Sequence, residues 1–174
     1  NFNLDSTGSS CIFEKLYSAR LQRGALEFDS QETRILFDDR RKISSIESIP
    51  RNNAHRMIEE CMLVANLATA RFLKTCDVPA LFRVHAGPSI DRLENLRSFL
   101  GEFSLNLPGG LNPTAKDYQS LLNAVEGRHD AHVIQTMLLR SLSQAVYQTQ
   151  NDGHFGLNYK EYTHFTSPIR RYPD

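Results

Sequence analysis

Apolar residues recur at helical spacing along much of this chain, and the two longest regular stretches predict helices. Over residues 51–74, Ala54, Ile58, Cys61, Ala65, Ala68 and Phe72 recur at steps of four and three, forming one continuous face that Met57 and Val64 widen. A stripe of that width predicts a helix buried against a sheet or another helix. Asn52, Arg56, Glu59 and Asn66 share a second, polar face of the same helix; an exposed surface and the wall of a groove would both look like this. From about Asp130 to Tyr147, the positions of Val133, Ile134, Met137, Leu138, Leu142 and Ala145 predict a second long helix. Shorter helices are predicted over 11–21, ended by Gly24, from Ser89 onward through Leu93, Leu96, Phe99 and Leu100, and from Thr114 to Gly127, where Thr114 offers an N-cap.

The region 25–49 has a different texture. Three short β-prone runs, 25–28, 34–37 and 42–46, are separated by polar turns at 29–32 and 38–40, which predicts a small antiparallel meander. Residues 79–84 (PALFRV) read as a buried strand, 156–163 as a further candidate β region, and the polar residues 1–10 as a loose lead-in. No internal repeat is visible. The fold class is therefore α+β, helix-rich, with short antiparallel strands.

Composition narrows the function classes. The 174 residues carry 20 Lys+Arg and 20 Asp+Glu, a formal net charge of zero, which argues against nucleic-acid binding by bulk electrostatics but leaves room for a groove holding a few phosphates. No apolar run is long enough to cross a membrane. No basic and apolar leader with a small-residue cleavage site opens the chain, so no secretory signal is expected. Cys11, Cys61 and Cys76 form no C-x-x-C pair, so a reducing cytoplasmic compartment is expected rather than a disulfide framework; Cys61, on the apolar stripe, reads as plain core. The pairs His129/His132 and His55/Glu59 have spacings that could share a metal on a helix, but neither has a third ligand at a telling distance, and surface polar pairs are the favoured reading. The chain starts at Asn1 and stops at Asp174 within a dense polar motif, which suggests a piece of a longer protein.

That motif, Thr166-Ser167-Pro168-Ile169-Arg170-Arg171-Tyr172-Pro173-Asp174, holds the most specific chemistry. Ser167-Pro168 is an N-cap and first-turn signature, and the free N–H groups of such a turn make an anion site. Pro173 disfavours helical geometry at Tyr172, keeping Arg170 and Arg171 on a short bent turn. A planar guanidinium there can grip a phosphate through two hydrogen bonds, while an arginine pair bridging carboxylates is the structural alternative.

These residues also carry a resemblance. Together with residues 51–62 (RNNAHRMIEECM), 79–85 (PALFRVH) and 107–110 (LPGG), residues 154–174 resemble, in order and spacing, the RNB family of exoribonucleases, the catalytic domain of ribonucleases II and R, over nearly the whole chain from about Leu16. The resemblance implies part of an RNB catalytic domain spanning 1–174. The implied activity is hydrolytic, processive 3′→5′ removal of nucleotides from single-stranded RNA as 5′-mononucleotides. It implies that Arg170 reaches the scissile phosphate and stabilises its extra negative charge, with Arg171 a lesser RNA contact. Glu59 would accept a hydrogen bond from a ribose hydroxyl, favouring RNA over DNA, and Phe28 would clamp terminal bases by stacking, a plain core aromatic being its equal alternative. Mg2+ is the implied cofactor, activating the attacking water.

One departure matters. The family's magnesium is held by an aspartate cluster upstream of the matching region, and no such cluster occurs here; Asp38-Asp39 lacks the flanking acids and sits in a turn. The metal ligands, the second clamping aromatic and the flanking OB-type RNA-binding domains are all expected outside these residues, in the same polypeptide. A non-catalytic RNA-binding or scaffold relative of the same fold is the alternative, and a helical protein-interaction module with a phosphate-stabilised turn is the reading without the family.

Overall fold

The computed structural model describes residues 6–28, 32–49 and 52–166. In chain order the elements are α1 (Ser6–Arg23), β1 (Glu32–Phe37), β2 (Ile43–Ile49), α2 (Asn53–Thr75), β3 (Phe82–Val84), α3 (Ile90–Glu102), α4 (Ala115–Val125), α5 (Ala131–Ser141) and β4 (Val146–Gln148). The α+β reading holds: helices dominate, and both described sheets are two-stranded and antiparallel.

The main core is helical. Leu93, Leu96 and Leu100 of α3, Tyr118, Leu121, Leu122 and Val125 of α4, and Ile134 and Leu138 of α5 form one buried cluster, joined by Leu26, Leu107 and Leu142. The steps of three and four that predicted these helices are the steps that place those side chains on one face. The Tyr118 hydroxyl, buried inside the cluster, pairs with Ser141 Oγ at 3.0 Å, so its polar end is satisfied. Thr114 and Asp117 close a capping box on α4: Thr114 Oγ1 accepts from the Asp117 N–H, and the Asp117 carboxylate accepts from the Thr114 N–H at 2.7 Å. A smaller core of Ala70, Phe82 and Val84 joins α2 to β3.

Several expectations are corrected by tertiary partners. Helix α1 begins at Ser6, not after a loose lead-in to residue 10. It ends at Gly24, whose φ of +75° lets its N–H return to the Arg20 carbonyl at 3.1 Å. Residues 25–28 form no strand, so the meander is a hairpin. The Leu26 N–H instead donates to the Gly156 carbonyl at 2.8 Å and the Glu27 N–H to Gln119 Oε1 at 3.0 Å, leaving no ladder to make. In the β1–β2 turn, Asp38 Oδ1 accepts from the N–H groups of Arg40 and Lys42. Helix α5 stops at Ser141, well before Tyr147. Carbonyls beyond its end are captured, Leu142 by Arg92 and Ser143 by His85, and Val146–Gln148 pair with β3. Residues 156–163 form turns and an isolated bridge at Tyr159 rather than a strand.

The largest correction concerns α2. Its apolar stripe faces away from the rest of the described residues: Ile58 is 56% and Phe72 66% exposed, and Cys61, expected in the core, is exposed. The buried positions are Glu60, Asn66 and Ala70. An amphipathic period distinguishes two faces without saying which one meets a given neighbour.

A histidine pair ties β3 to the loop that follows β4. The His85 Nδ1 accepts from the Gly156 N–H at 3.0 Å while its Nε2 donates to the Ser143 carbonyl at 2.8 Å, and His154 Nδ1 accepts from the Leu157 N–H at 3.2 Å. Both rings are thereby held in a neutral form, because a second proton on Nδ1 would meet a backbone N–H. Glycine at 156 permits the approach, since a Cβ would stand 3.0 Å from that His85 nitrogen. Burial, with His85 and then Arg83 nearby, pulls the His154 imidazole down to about 3.

Leu100, fully buried between helices, is expected to cost about 2–5 kcal/mol of stability when cut to alanine, read from the denaturation midpoint. As pH falls below about 6.5, unfolded His154 takes up a proton that the folded ring refuses until about 3. Stability is therefore full above that window and falls on acidification, with a slope of order 1 kcal/mol per pH unit. Denaturation midpoints followed from about pH 7 to pH 4 should show a shallower acid loss in His154→Phe than in the parent protein.

Candidate functional site

The candidate site is organised by the inward, polar face of α2. Asn52 caps this helix, its side chain accepting from the His55 N–H at 2.9 Å. Beyond the cap, Arg56 and Glu59 are half-buried and Asn66 is 2% exposed. Glu59 and Asn66 are seven residues apart, so they lie on one face about 10 Å apart along the axis. The face is therefore graded, from an exposed Asn52 at the cap to a buried Asn66 in mid-helix.

Asn66 uses both ends of its carboxamide. Its Oδ1 accepts from the Phe165 N–H at 2.8 Å, the Thr166 N–H at 3.0 Å and the Thr166 hydroxyl at 3.3 Å, while Nδ2 donates to the Tyr162 hydroxyl at 2.8 Å. The same segment is tied to the residues around β3. The Arg83 N–H donates to the Tyr162 carbonyl at 2.8 Å, and the Thr163 hydroxyl donates to the Leu81 carbonyl at 2.7 Å. The chain entering the Ser167-Pro168 motif is thus strapped on one side to α2 and on the other to the entry of β3. Sequence reading placed Asn66 on the polar face but gave it no role; a signal was present, an asparagine in mid-helix, where it disfavours the helix unless its side chain has work elsewhere.

Next to Glu59, Glu60 is 4% exposed and pairs with Arg20 Nη1 of α1 at 2.7 Å. Two adjacent glutamates therefore have different surroundings: Glu60 is committed to holding α1 against α2, and Glu59 is half-buried on the polar face. Three guanidinium nitrogens in this area, Arg20 Nε, Arg23 Nη2 and Arg56 Nε, are buried without a hydrogen-bond partner among the described residues. Arg23 lies over the Tyr159 ring at 4.0 Å, and burial pulls its guanidinium below the ordinary value, Tyr159 and Glu60 opposing. Burial and then the Glu27 carboxylate push the Tyr17 phenol up.

Phe28 is half-buried and packs against the helical core, so its described contacts are those of a core aromatic. Two clefts lie nearby, one of about 390 Å³ bordered by Arg23, Glu60, Arg71 and Tyr159, the other of about 430 Å³ bordered by His85, Asp152, His154 and Lys160. Neither is lined by Glu59 or Phe28. Arg170 and Arg171 lie outside the described residues. Among the described residues, no group of three or more His, Cys, Asp or Glu side chains is arranged to hold a metal ion, and no helix is long and apolar enough to cross a membrane.

Known proteins match this geometry and this sequence. The RNB domain model matches residues 6–174. Ribonuclease R of Vibrio parahaemolyticus is 53% identical over 94% of this chain, and ribonuclease R of Escherichia coli is 50% identical over the same share. The chain spans about a fifth of the length of these curated relatives. Among solved structures, Mycoplasma genitalium RNase R in complex with ribose-methylated single-stranded RNA superposes with a TM-score of 0.88 at 31% identity, covering 95% of this chain and 26% of that one. The strapped segment 162–166, α2 and the helical core all fall within the matched residues, and the chain belongs to the RNB family.

Proposed function

We propose that this chain is part of the catalytic domain of a hydrolytic, processive 3′→5′ exoribonuclease that shortens single-stranded RNA to 5′-mononucleotides, and that it supplies the phosphate-binding arginine and part of the RNA channel. The observation that carries this reading is the double strap on residues 162–166. A buried carboxamide on α2, the helix that bears Glu59, and the backbone around β3 hold residues 162–166, and the Ser167-Pro168-Ile169-Arg170-Arg171 motif follows directly in the sequence. The relatives named ribonuclease R, and the likeness to an RNase R bound to RNA, support it.

Within this reading Arg170 is the catalytic residue. When water attacks the terminal phosphodiester, a P–O bond forms to the water oxygen and the bond to the departing 3′ oxygen breaks. Negative charge builds on the non-bridging oxygens in between, and a guanidinium aimed at them stabilises the transition state more than the ground state. Arg171 contributes a further contact to the RNA backbone. Glu59 accepts from a ribose hydroxyl that deoxyribose lacks, and Phe28 stacks on a terminal base. The described residues do not offer a donor set that fits Mg2+, the cofactor the family resemblance implies. OB-type RNA-binding modules in the same polypeptide would complete the RNA path, consistent with a chain whose own net charge is zero. The free thiols of Cys11, Cys61 and Cys76 suit a cytoplasmic enzyme.

In the intact protein, Arg170→Ala is expected to lower kcat roughly a hundredfold or more while RNA affinity changes only a few-fold. Single-turnover hydrolysis set beside RNA titration checks this, and equal losses in both would remove the arginine from the chemistry. Glu59→Ala should narrow the preference for ribose over deoxyribose at the 3′ end, read as the ratio of kcat/KM on matched oligonucleotides; an unchanged ratio would count against the hydroxyl contact.

A further inference from the structure

We propose that the cleft between α1, α2 and residues 158–161 is a site for a phosphate group, carried by free orthophosphate or by a nucleoside 5′-monophosphate, with Arg23, Arg71 and Lys160 as its binding residues. The site uses none of the residues assigned above to hydrolysis.

The cleft measures about 390 Å³, enough for such an ion with a small organic body. Its border carries three cations, Arg23, Arg71 and Lys160, and two carboxylates, Glu60 and Glu161. Both carboxylates are already answered. Glu60 meets Arg20 at 2.7 Å, and Glu161 meets Arg71 Nε at 3.1 Å and Lys74 Nζ at 3.6 Å. The bordering groups and their ion-pair partners therefore set five cations against two carboxylates. A surplus of positive charge in a concave site draws an anion, and draws a dianion more strongly than a singly charged carboxylate.

Arg23 is the fixed member. Its Nε donates to the Leu157 carbonyl at 2.8 Å and its guanidinium lies over the Tyr159 ring at 4.0 Å, so both the plane and the direction of the group are set. It forms no ion pair among the described residues. Its Nη2, like the Nε of Arg20, is buried without an acceptor among them. Donors outnumber acceptors here, and a half-buried guanidinium without a counter-charge is costly to the fold. A phosphate supplies both things that are short: oxygens that suit a planar fork of N–H groups, and negative charge. Arg71 and Lys160 are exposed, and Arg71 spends only its Nε on Glu161, so each has further N–H groups to turn toward an ion beside Arg23. Leu16 and Leu67, on the same border, offer apolar surface to the body of an ester.

The test is equilibrium dialysis of the full-length protein against radiolabelled orthophosphate at about pH 8, where the ion is a dianion, with adenosine 5′-monophosphate in a parallel series. The parent protein is expected to bind orthophosphate saturably, with half-saturation below about 5 mM. Lys160→Glu, a change at an exposed position, is expected to lose one equivalent of bound phosphate or to hold it at least about tenfold more weakly. Arg23→Lys keeps the charge, gives up the fork and should weaken binding several-fold. Arg140→Glu makes the same change of charge on the exposed end of α5 and should bind as the parent does. Adenosine monophosphate held at least about threefold more tightly than orthophosphate identifies the ester as the ligand, and equal or weaker binding identifies the free ion. No saturable binding in the parent, an isotherm unchanged by Lys160→Glu, or an equal loss in Arg140→Glu would each overturn the site.

Discussion

The structure depends on a helix with a polar inner face. A helix that packs through polar groups is stable only when each of them finds a partner, because an orphaned amide or carboxylate in the interior costs more than the contact gains. On α2, Glu60 meets Arg20 at 2.7 Å, and Asn66 meets Tyr162, Phe165 and Thr166. These partners come from α1 and from the C-terminal strap, elements separated from each other by well over a hundred residues of sequence. Directional bonds hold them in one register. An apolar stripe in the same place would have tolerated sliding, since hydrophobic contact has no preferred angle.

The same logic applies to charge. The chain is neutral overall, and part of its basic content is already used within it: Arg20 on Glu60, and Arg71 and Lys74 on Glu161. What the domain offers a nucleic acid under the proposed function is therefore a local arrangement rather than a diffuse positive field. This suits a catalytic centre that must recognise one phosphodiester among many identical ones. Bulk charge attracts the backbone indiscriminately, whereas a local arrangement of donors can select a position along it.

How much was legible varied with the range of the interaction. Helices α3 and α4 were readable because their burial period, their caps and their stops are local: Thr114 with Asp117 and the turn at Gly127 act within a few residues. Residues 25–28 and 143–148 were misread because their backbone partners, Gly156, Gln119 and β3, are distant in sequence. On α2 both stripes were visible, but the apolar one was expected to be buried and is largely exposed, while the polar one was left open. Of the candidate residues, Glu59 lies half-buried on the polar face and Phe28 half-buried against the helical core, and the anchoring bonds of Asn66 went unread. Its partners lie about a hundred residues away.

The amino-acid sequence by itself determined the existence of the helices, the two-faced character of α2 and, through the residues of the terminal motif, the family. Local sterics, capping and side-chain chemistry act over a few residues and leave their mark in the order of residues. Only the tertiary structure decided which face of α2 turns inward, which carbonyl takes the Leu26 N–H, and which side chain holds Thr166. Those outcomes depend on hydrogen-bond partners brought together by the whole packed arrangement, and a polar group written in a sequence does not name the partner that will satisfy it.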